Sequence, residues 1–240
     1  MIRVSREISE IFSTIAGRYD RANHILSLGL DKGWRRRLVR SAALQPGELL
    51  LDLCTGTADL IIEFSKFELD SEIIGIDLSS EMLQVGQKKL RALTSRKKIE
   101  LIKADVLNLP LMDQSVDVIS IAFGLRNLAN IQEGLSEMVR VLRPGGRLII
   151  LELSLPRHRV WRAIYSFYLK NLMPVFAAWI AGSRAPYRYL HDSICAFPSP
   201  SEILAQMTRA GLHKPECNLL LGGVAVIYRA EKHELRQQHT

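Results

Sequence analysis

The chain has 240 residues, 48% of them hydrophobic and 24% charged, which suffices for one α/β domain with a sizeable core and falls short of two ordinary domains. The absence of low-complexity tracts, internal repeats and Pro/Gly/Ser linkers excludes a disordered or modular chain. A formal net charge of +7 leaves nucleic acid and an anionic membrane surface open as partners, and its basic clusters (Arg35-Arg36-Arg37 with Arg40, Arg96-Lys97-Lys98, and Arg157 with Arg159 and Arg162) are short enough to be solvated helix faces instead.

From Ile8, apolar residues recur at Ile11, Phe12, Ile15 and Ala16, the spacing of one helix face. A second helix is predicted from Asp31 through Trp34, Leu38 and Val39 to Ala42, and Pro46-Gly47 punctuates the chain after it. Glu48–Leu53 reads as a buried strand leading into a glycine-containing turn, followed by a helical stretch from Leu60 to Phe67. Ile73–Asp77 is the next strand, with Ser79 or Ser80 as N-cap of a helix beginning near Glu81. Ile99–Ala104 and Val116–Phe123 are further strands, and Leu135, Met138 and Val139 complete a helical face between Ile131 and Leu142. Pro144-Gly145-Gly146 stops that helix, Arg147–Leu153 makes a fifth strand, and Gly223–Arg229 is β-like before a polar tail from Glu231. The repeated β-then-α order predicts an α/β fold, a mostly parallel sheet with helices on both faces.

Met1-Ile2-Arg3-Val4-Ser5 lacks the apolar run and cleavage site of a secretory signal. Three cysteines, Cys54, Cys195 and Cys217, are odd in number and carry no CxxC spacing, which argues against a disulfide framework and a zinc site. The expectation is a cytoplasmic chain with no metal.

In open α/β sheets ligands bind beyond the C-terminal ends of the strands, near the point where strand order reverses. The first strand ends in Asp52-Leu53-Cys54-Thr55-Gly56-Thr57-Ala58-Asp59, where Gly56 lets the backbone turn sharply. The second ends in Asp77, 21 positions after Gly56, where a carboxylate can accept hydrogen bonds from two ribose hydroxyls. A dinucleotide fingerprint would need three glycines to seat a pyrophosphate, and this turn has Gly56 between Asp52 and Asp59. Acidic residues repel a pyrophosphate and suit a cofactor bearing an amine and a sulfonium, so S-adenosylmethionine is expected, with Asp105 at the end of the third strand holding the adenine amino group.

These residues belong to a wider pattern. Tyr19-Asp20-Arg21-Ala22-Asn23 with Ser27-Leu28-Gly29 and Trp34, then Phe123-Gly124-Leu125-Arg126-Asn127, then Arg140 to Gly146 ending in Glu152-Leu153-Ser154, run along the chain. Tyr187-Arg188-Tyr189-Leu190, Ser193-Ile194 with Phe197-Pro198, and Gly222-Gly223-Val224-Ala225 continue it. In these motifs the chain resembles the quinone-ring C-methyltransferases of menaquinone and ubiquinone biosynthesis almost end to end, and its Cys-Thr-Gly-Thr-Ala-Asp turn is more similar to the menaquinone branch. The resemblance implies a class I methyltransferase Rossmann-like fold: one domain over 1–240, a seven-stranded sheet, an N-terminal helical lid over 1–45 and an acceptor-pocket insertion over 155–200, after strand 5. It implies cofactor contacts at Gly56, Thr57, Asp77, Asp105 and Val106, with Ala122 where some relatives carry a serine. Ala22 and Asp31 depart from the family's usual Met and His.

Carbon methylation of a quinol ring calls for a positioned, water-excluded acceptor, a stabilised phenolate and an acceptor for the ring proton. Arg126 is the candidate for the phenolate, with Asn127 as its hydrogen-bond partner; a surface arginine in a loop is the competing reading. Tyr19 and Asp20 are candidates for a lid, with Asp20 either a base or merely a turn residue, while Tyr187, Tyr189 and His191 are pocket candidates. Cys54 has no evident base and is assigned no nucleophilic role. Ile164–Ala181 is nearly all apolar and approaches the length of a membrane span, but Lys170, Asn171 and Pro174 interrupt it. It reads either as an insertion that touches an anionic membrane at its inner face and admits a polyprenyl tail, or as a buried helix pair. A polyprenyl quinol is thus the expected partner and nucleic acid is not, since no Asn-Pro-Pro-Tyr or catalytic Pro-Cys motif is present; homo-oligomerisation stays open. Methylation of a benzoquinol, another phenol or a sterol, and a non-catalytic binding role, are the alternatives.

Overall fold

The computed structural model describes residues 20, 23–67, 70–93, 98–173 and 185–233, the side chains of 185–187 excepted. The predicted helix from Ile8 and residues Tyr19 and Pro174 to Arg184 lie outside this set. Helix α1 (Leu30–Ala42) precedes β1 (Leu49–Leu53), α2 (Asp59–Ser65), β2 (Glu72–Asp77), α3 (Ser80–Arg91), β3 (Ile99–Lys103) and β4 (Val116–Ala122). Then come α4 (Ile131–Val141), β5 (Leu142–Leu153), α5 (Arg159–Phe167), α6 (Ala185–Ala196), α7 (Pro200–Arg209), β6 (Leu212–Leu220) and β7 (Ala225–Lys232).

The seven strands lie in the order β3-β2-β1-β4-β5-β7-β6. β1 to β5 pair in parallel, and β7 runs antiparallel to both β5 and β6. Alternating side chains divide between two cores. Leu51, Leu53, Ile119 and Ile121 pack with Leu135 and Met138 of α4 and Ile203 and Met207 of α7, whereas Leu50, Val118 and Ile149 pack with Leu38 of α1 and Ile61 and Phe64 of α2. Burial on both faces is why these strands read as continuous apolar runs. Strand order reverses between β1 and its neighbours β2 and β4, so the turn after β1 opens at a topological switch point.

One expectation needs correction, and two elements lie beyond what the sequence pattern shows. The Pro144-Gly145-Gly146 segment lies inside β5, which begins at Leu142, and forms an irregularity where the β4 register shifts between Val116 and Val118. A Cβ on Gly146 would stand 2.9 Å from the carbonyl oxygens of both Arg143 and Asp117, so no larger residue fits there. Strand β6 was not individually legible, because an edge strand with alternately exposed residues, a lysine and a proline carries little apolar signal. Helix α7 was also unread, although Ser199 and Glu202 form a full capping box with Pro200 in the first turn. Ser79 does cap α3, accepting from the Met82 N–H at 3.2 Å.

Candidate active site

The turn between β1 and α2 holds Cys54, Gly56 and Ala58 in left-handed backbone, with φ of 51°, 55° and 64°. Such a conformation is costly for residues bearing a Cβ. Each of the two non-glycine residues meets a glycine from a neighbouring element. A Cβ on Gly124 would stand 2.4 Å from that of Cys54, and one on Gly86 of α3 would stand 3.2 Å from that of Ala58. The Gly56 N–H donates to the Asp77 carboxylate at 2.9 Å, and the Ser79 N–H donates to its other oxygen at 2.9 Å, so the ends of β1 and β2 are tied together. Burial raises the Asp77 carboxyl above its ordinary range, and these backbone donors oppose the rise. Burial, reinforced by Asp77, Asp52, Glu152 and Asp105, pushes the Cys54 thiol well up, which makes it a poor nucleophile.

Thr57 Oγ1 donates to Asp20 at 2.5 Å, and Lys89 of α3 reaches Asp20 at 2.9 Å and also pairs with Asp59. Asp59 lies 3.7 Å from Arg35, which pairs with Asp31, and His24 Nδ1 is 2.6 Å from the Asp31 carboxylate. Burial alone would raise Asp31, but hydrogen bonds from Ser27 and Arg35 and the charge of Arg35 hold it below the usual carboxylate range. Asp105 follows β3, where its Oδ1 accepts from the Leu107 N–H at 2.9 Å, and Val106 beside it is buried.

One cavity lies at this turn and a second adjoins it at Arg35 and Phe123. The smaller, of about 40 Å³, is lined by Gly56, Thr57, Asp59 and Ala122, with Arg35 and Phe123. The larger, of about 410 Å³, lies beneath α5 and is lined mainly by apolar side chains, among them Trp34, Trp161 and Leu169. Arg35 and Phe123 line both and form the wall they share. Phe123 has φ +59°, its ring lies 6.4 Å from that of Trp34, and the Arg35 guanidinium sits 5.4 Å from its centroid. Of the sequence candidates, Gly56, Thr57 and Ala122 come together at the smaller cavity, Asp77 backs it through Gly56, and Asp105 and Val106 lie outside its lining.

Arg126 lines the larger cavity. Its side chain is 4% exposed, against the surface-loop alternative, and it donates to Glu152 Oε1 at 2.5 Å and to the Phe123 carbonyl at 2.7 Å. Its own N–H donates to Glu152 Oε2 at 3.1 Å, and Glu152 is fully buried. Breaking such a buried pair costs about 3–5 kcal/mol, so the guanidinium is held in one orientation. Asn127 accepts from the Tyr189 hydroxyl at 3.0 Å, and both lie behind the cavity lining. His191 pairs with Asp192 at 2.8 Å, away from the lining. Sequence reasoning missed Tyr165 of α5, which lines the cavity; burial raises its hydroxyl well above the ordinary tyrosine range, opposed by the Arg126 charge. The signal was the aromatic spacing Trp161, Tyr165, Tyr168 along one helix face.

The family description decides what this arrangement belongs to: residues 2–232 match the ubiE/COQ5 methyltransferase family. The chain belongs to that family. It is 40% identical over 227 residues to the ubiquinone/menaquinone biosynthesis C-methyltransferase UbiE of Geotalea daltonii, covering 94% of this chain and 96% of that one. It is 37% identical over 226 residues to the demethylmenaquinone methyltransferase of Desulfitobacterium hafniense, covering 94% and 89%. A SAM-dependent methyltransferase from Aquifex aeolicus has the same fold at a TM-score of 0.60 and 19% identity, covering 82% of this chain and 88% of that one. As a family member the chain is a SAM-dependent methyltransferase with the Rossmann-like methyltransferase fold.

Proposed function

We propose that the chain transfers a methyl group from S-adenosylmethionine to a ring carbon of a reduced polyprenyl quinol, demethylmenaquinol in preference to a benzoquinol. The observation that carries the reading is the large apolar cavity with Arg126 on its wall, which shares Phe123 and Arg35 with the smaller cavity at the glycine turn. The names of the relatives, UbiE and demethylmenaquinone methyltransferase, supply the acceptor class.

The residues at the strand ends suit the donor. The carboxylates of Asp77 and Asp105 are acceptors suited to hydroxyl and amino groups, and a turn with Gly56 as its one glycine lacks the three-glycine cradle of a pyrophosphate. When bound, S-adenosylmethionine supplies an electrophilic methyl group on a sulfonium.

The chain's own residues do the rest. Arg126, oriented by Glu152, stabilises the phenolate that makes the ring carbon nucleophilic, and Tyr165 beside it stays a neutral donor. Asn127, held by Tyr189, fixes the corner from which Arg126 projects. Among the described residues the carboxylate on the acceptor wall is that of Asp31, and we assign the ring proton to it, with His24 alongside. Asp20 then acts as a lid residue, latched to Thr57 and Lys89, with Tyr19 next to it. In this reading 1–240 is one domain, whose lid spans 1–45 and whose insertion spans 155–200. No helix among the described residues is long and apolar enough to cross a membrane.

The test is transfer of labelled methyl to chemically reduced demethylmenaquinone, with the oxidised quinone and a benzoquinol in parallel. Label on the naphthoquinol ring carbon only after reduction is expected. Label on the oxidised ring would refute the phenolate step, and cofactor binding with no labelled ring would refute the quinol assignment.

A further inference from the structure

Helix α5 is strongly amphipathic, with Trp161 and Tyr165 half-buried and no residue fully buried. Trp161 and Tyr165 face the large cavity, whereas Val160, Ile164 and Phe167, spaced as one stripe, are 63%, 55% and 60% exposed. Leu28, before α1, is 83% exposed, and Leu172 and Leu221 are each exposed by more than two-fifths. Leu28, Ile164, Phe167, Leu172 and Leu221 are at once solvent-exposed and part of the cavity lining, so three separate stretches of chain form one apolar rim around its mouth. Contiguous apolar surface of this kind marks an interaction site.

The charge around the rim selects the partner. Between Glu152 and Asp192 the sequence contains no acidic residue, while Arg157, Arg159, Arg162 and Lys170 are basic and exposed. A helix with an apolar stripe flanked by unopposed cations fits an anionic lipid surface.

We infer that the rim seats on anionic lipid: Val160, Ile164 and Phe167 enter the edge of the hydrocarbon, and Arg157, Arg159 and Lys170 meet the headgroup charge. The cavity mouth then opens into the bilayer, and an acceptor's tail enters without crossing water. The inference deepens the proposed function and rests on its reading of the acceptor as lipid-tailed.

The experiment is co-sedimentation of the full chain with phosphatidylcholine vesicles, with and without phosphatidylglycerol, at low and high salt and with no acceptor present. Binding is expected only with phosphatidylglycerol at low salt. Arg159→Ala and Lys170→Ala should each weaken it roughly fivefold, and Val160→Glu should weaken it further. Val160 does not line the cavity, so Val160→Glu should methylate a short-tailed acceptor at the wild-type rate and lose turnover only on a long-tailed acceptor held in vesicles. Absence of binding at low salt, or equal binding by Val160→Glu and wild type, would overturn the inference. So would concentration-dependent self-association abolished by Val160→Glu, which would give the rim to a second copy. Vesicle binding is read without acceptor, so its failure and failure of the quinol assignment are seen separately.

Discussion

Asp52 stands fully buried near the C-terminal end of β1, where Thr55 Oγ1 donates to it at 2.6 Å and Ser120 Oγ at 2.7 Å. Burial outweighs these donors and pushes its carboxyl up to about 7. In the unfolded chain an aspartate titrates near about 3.9. Between those values the folded protein holds a proton that the unfolded chain has released, so the stability this group contributes is full below the lower value and is lost as pH rises through the upper. Asp52→Asn removes that dependence. In urea unfolding from about pH 5 to about pH 8, the variant should gain on the wild type by up to about 1.4 kcal/mol per pH unit up to about pH 7. A constant gap would show Asp52 ionised throughout. At this scale the sequence was legible where a residue's role follows from its place on a strand: Asp52, Asp77 and Asp105 could be read from strand ends. The pairing of Arg126 with Glu152, 26 positions away, could not, because only the fold brings the β4 corner onto β5.

Among elements, β1 to β4 are legible almost to their ends, since burial on both faces writes an apolar run into each of them, whereas β5 begins at Leu142, ahead of its apolar run. Where an element is exposed, or ends by local hydrogen bonding, the apolar pattern fails and capping chemistry is the better guide. Helix α7 is the example: Ser199 Oγ accepts from the Glu202 N–H at 3.4 Å and the Glu202 carboxylate accepts from the Ser199 N–H at 2.7 Å. Ser199→Ala should lower stability by about 1 kcal/mol, measured as a shift in the urea midpoint. Ile203 and Met207 carry α7 into the core beneath α4, so the loss should register in global unfolding; an unchanged midpoint would mean that packing alone sets the start of the helix.

Across the molecule, a chain of charges joins parts far apart in sequence. Lys89 of α3 holds Asp20 from the N-terminal segment and Asp59 from the cofactor turn, and Arg35 continues the chain to Asp31. Lys89→Met takes from Asp20 its cation and leaves Asp59 with Arg35 at 3.7 Å. The dissociation constant for S-adenosylhomocysteine, measured by calorimetry, should rise roughly tenfold, equivalent to about 1.4 kcal/mol; an unchanged constant would show that the N-terminal segment does not shape the donor site. Nothing in the spacing of Asp20, Asp59 and Lys89 along the sequence signals that they meet. The corner at Phe123 has a parallel effect on how such a protein changes over generations. Because Phe123 and Arg35 line both cavities at once, a substitution there alters both in a single step. Trp161, Tyr165 and Tyr168 border the larger cavity alone, so a lineage drifting toward a cavity of new shape has its freedom in that wall, while the corner stays fixed by its double duty.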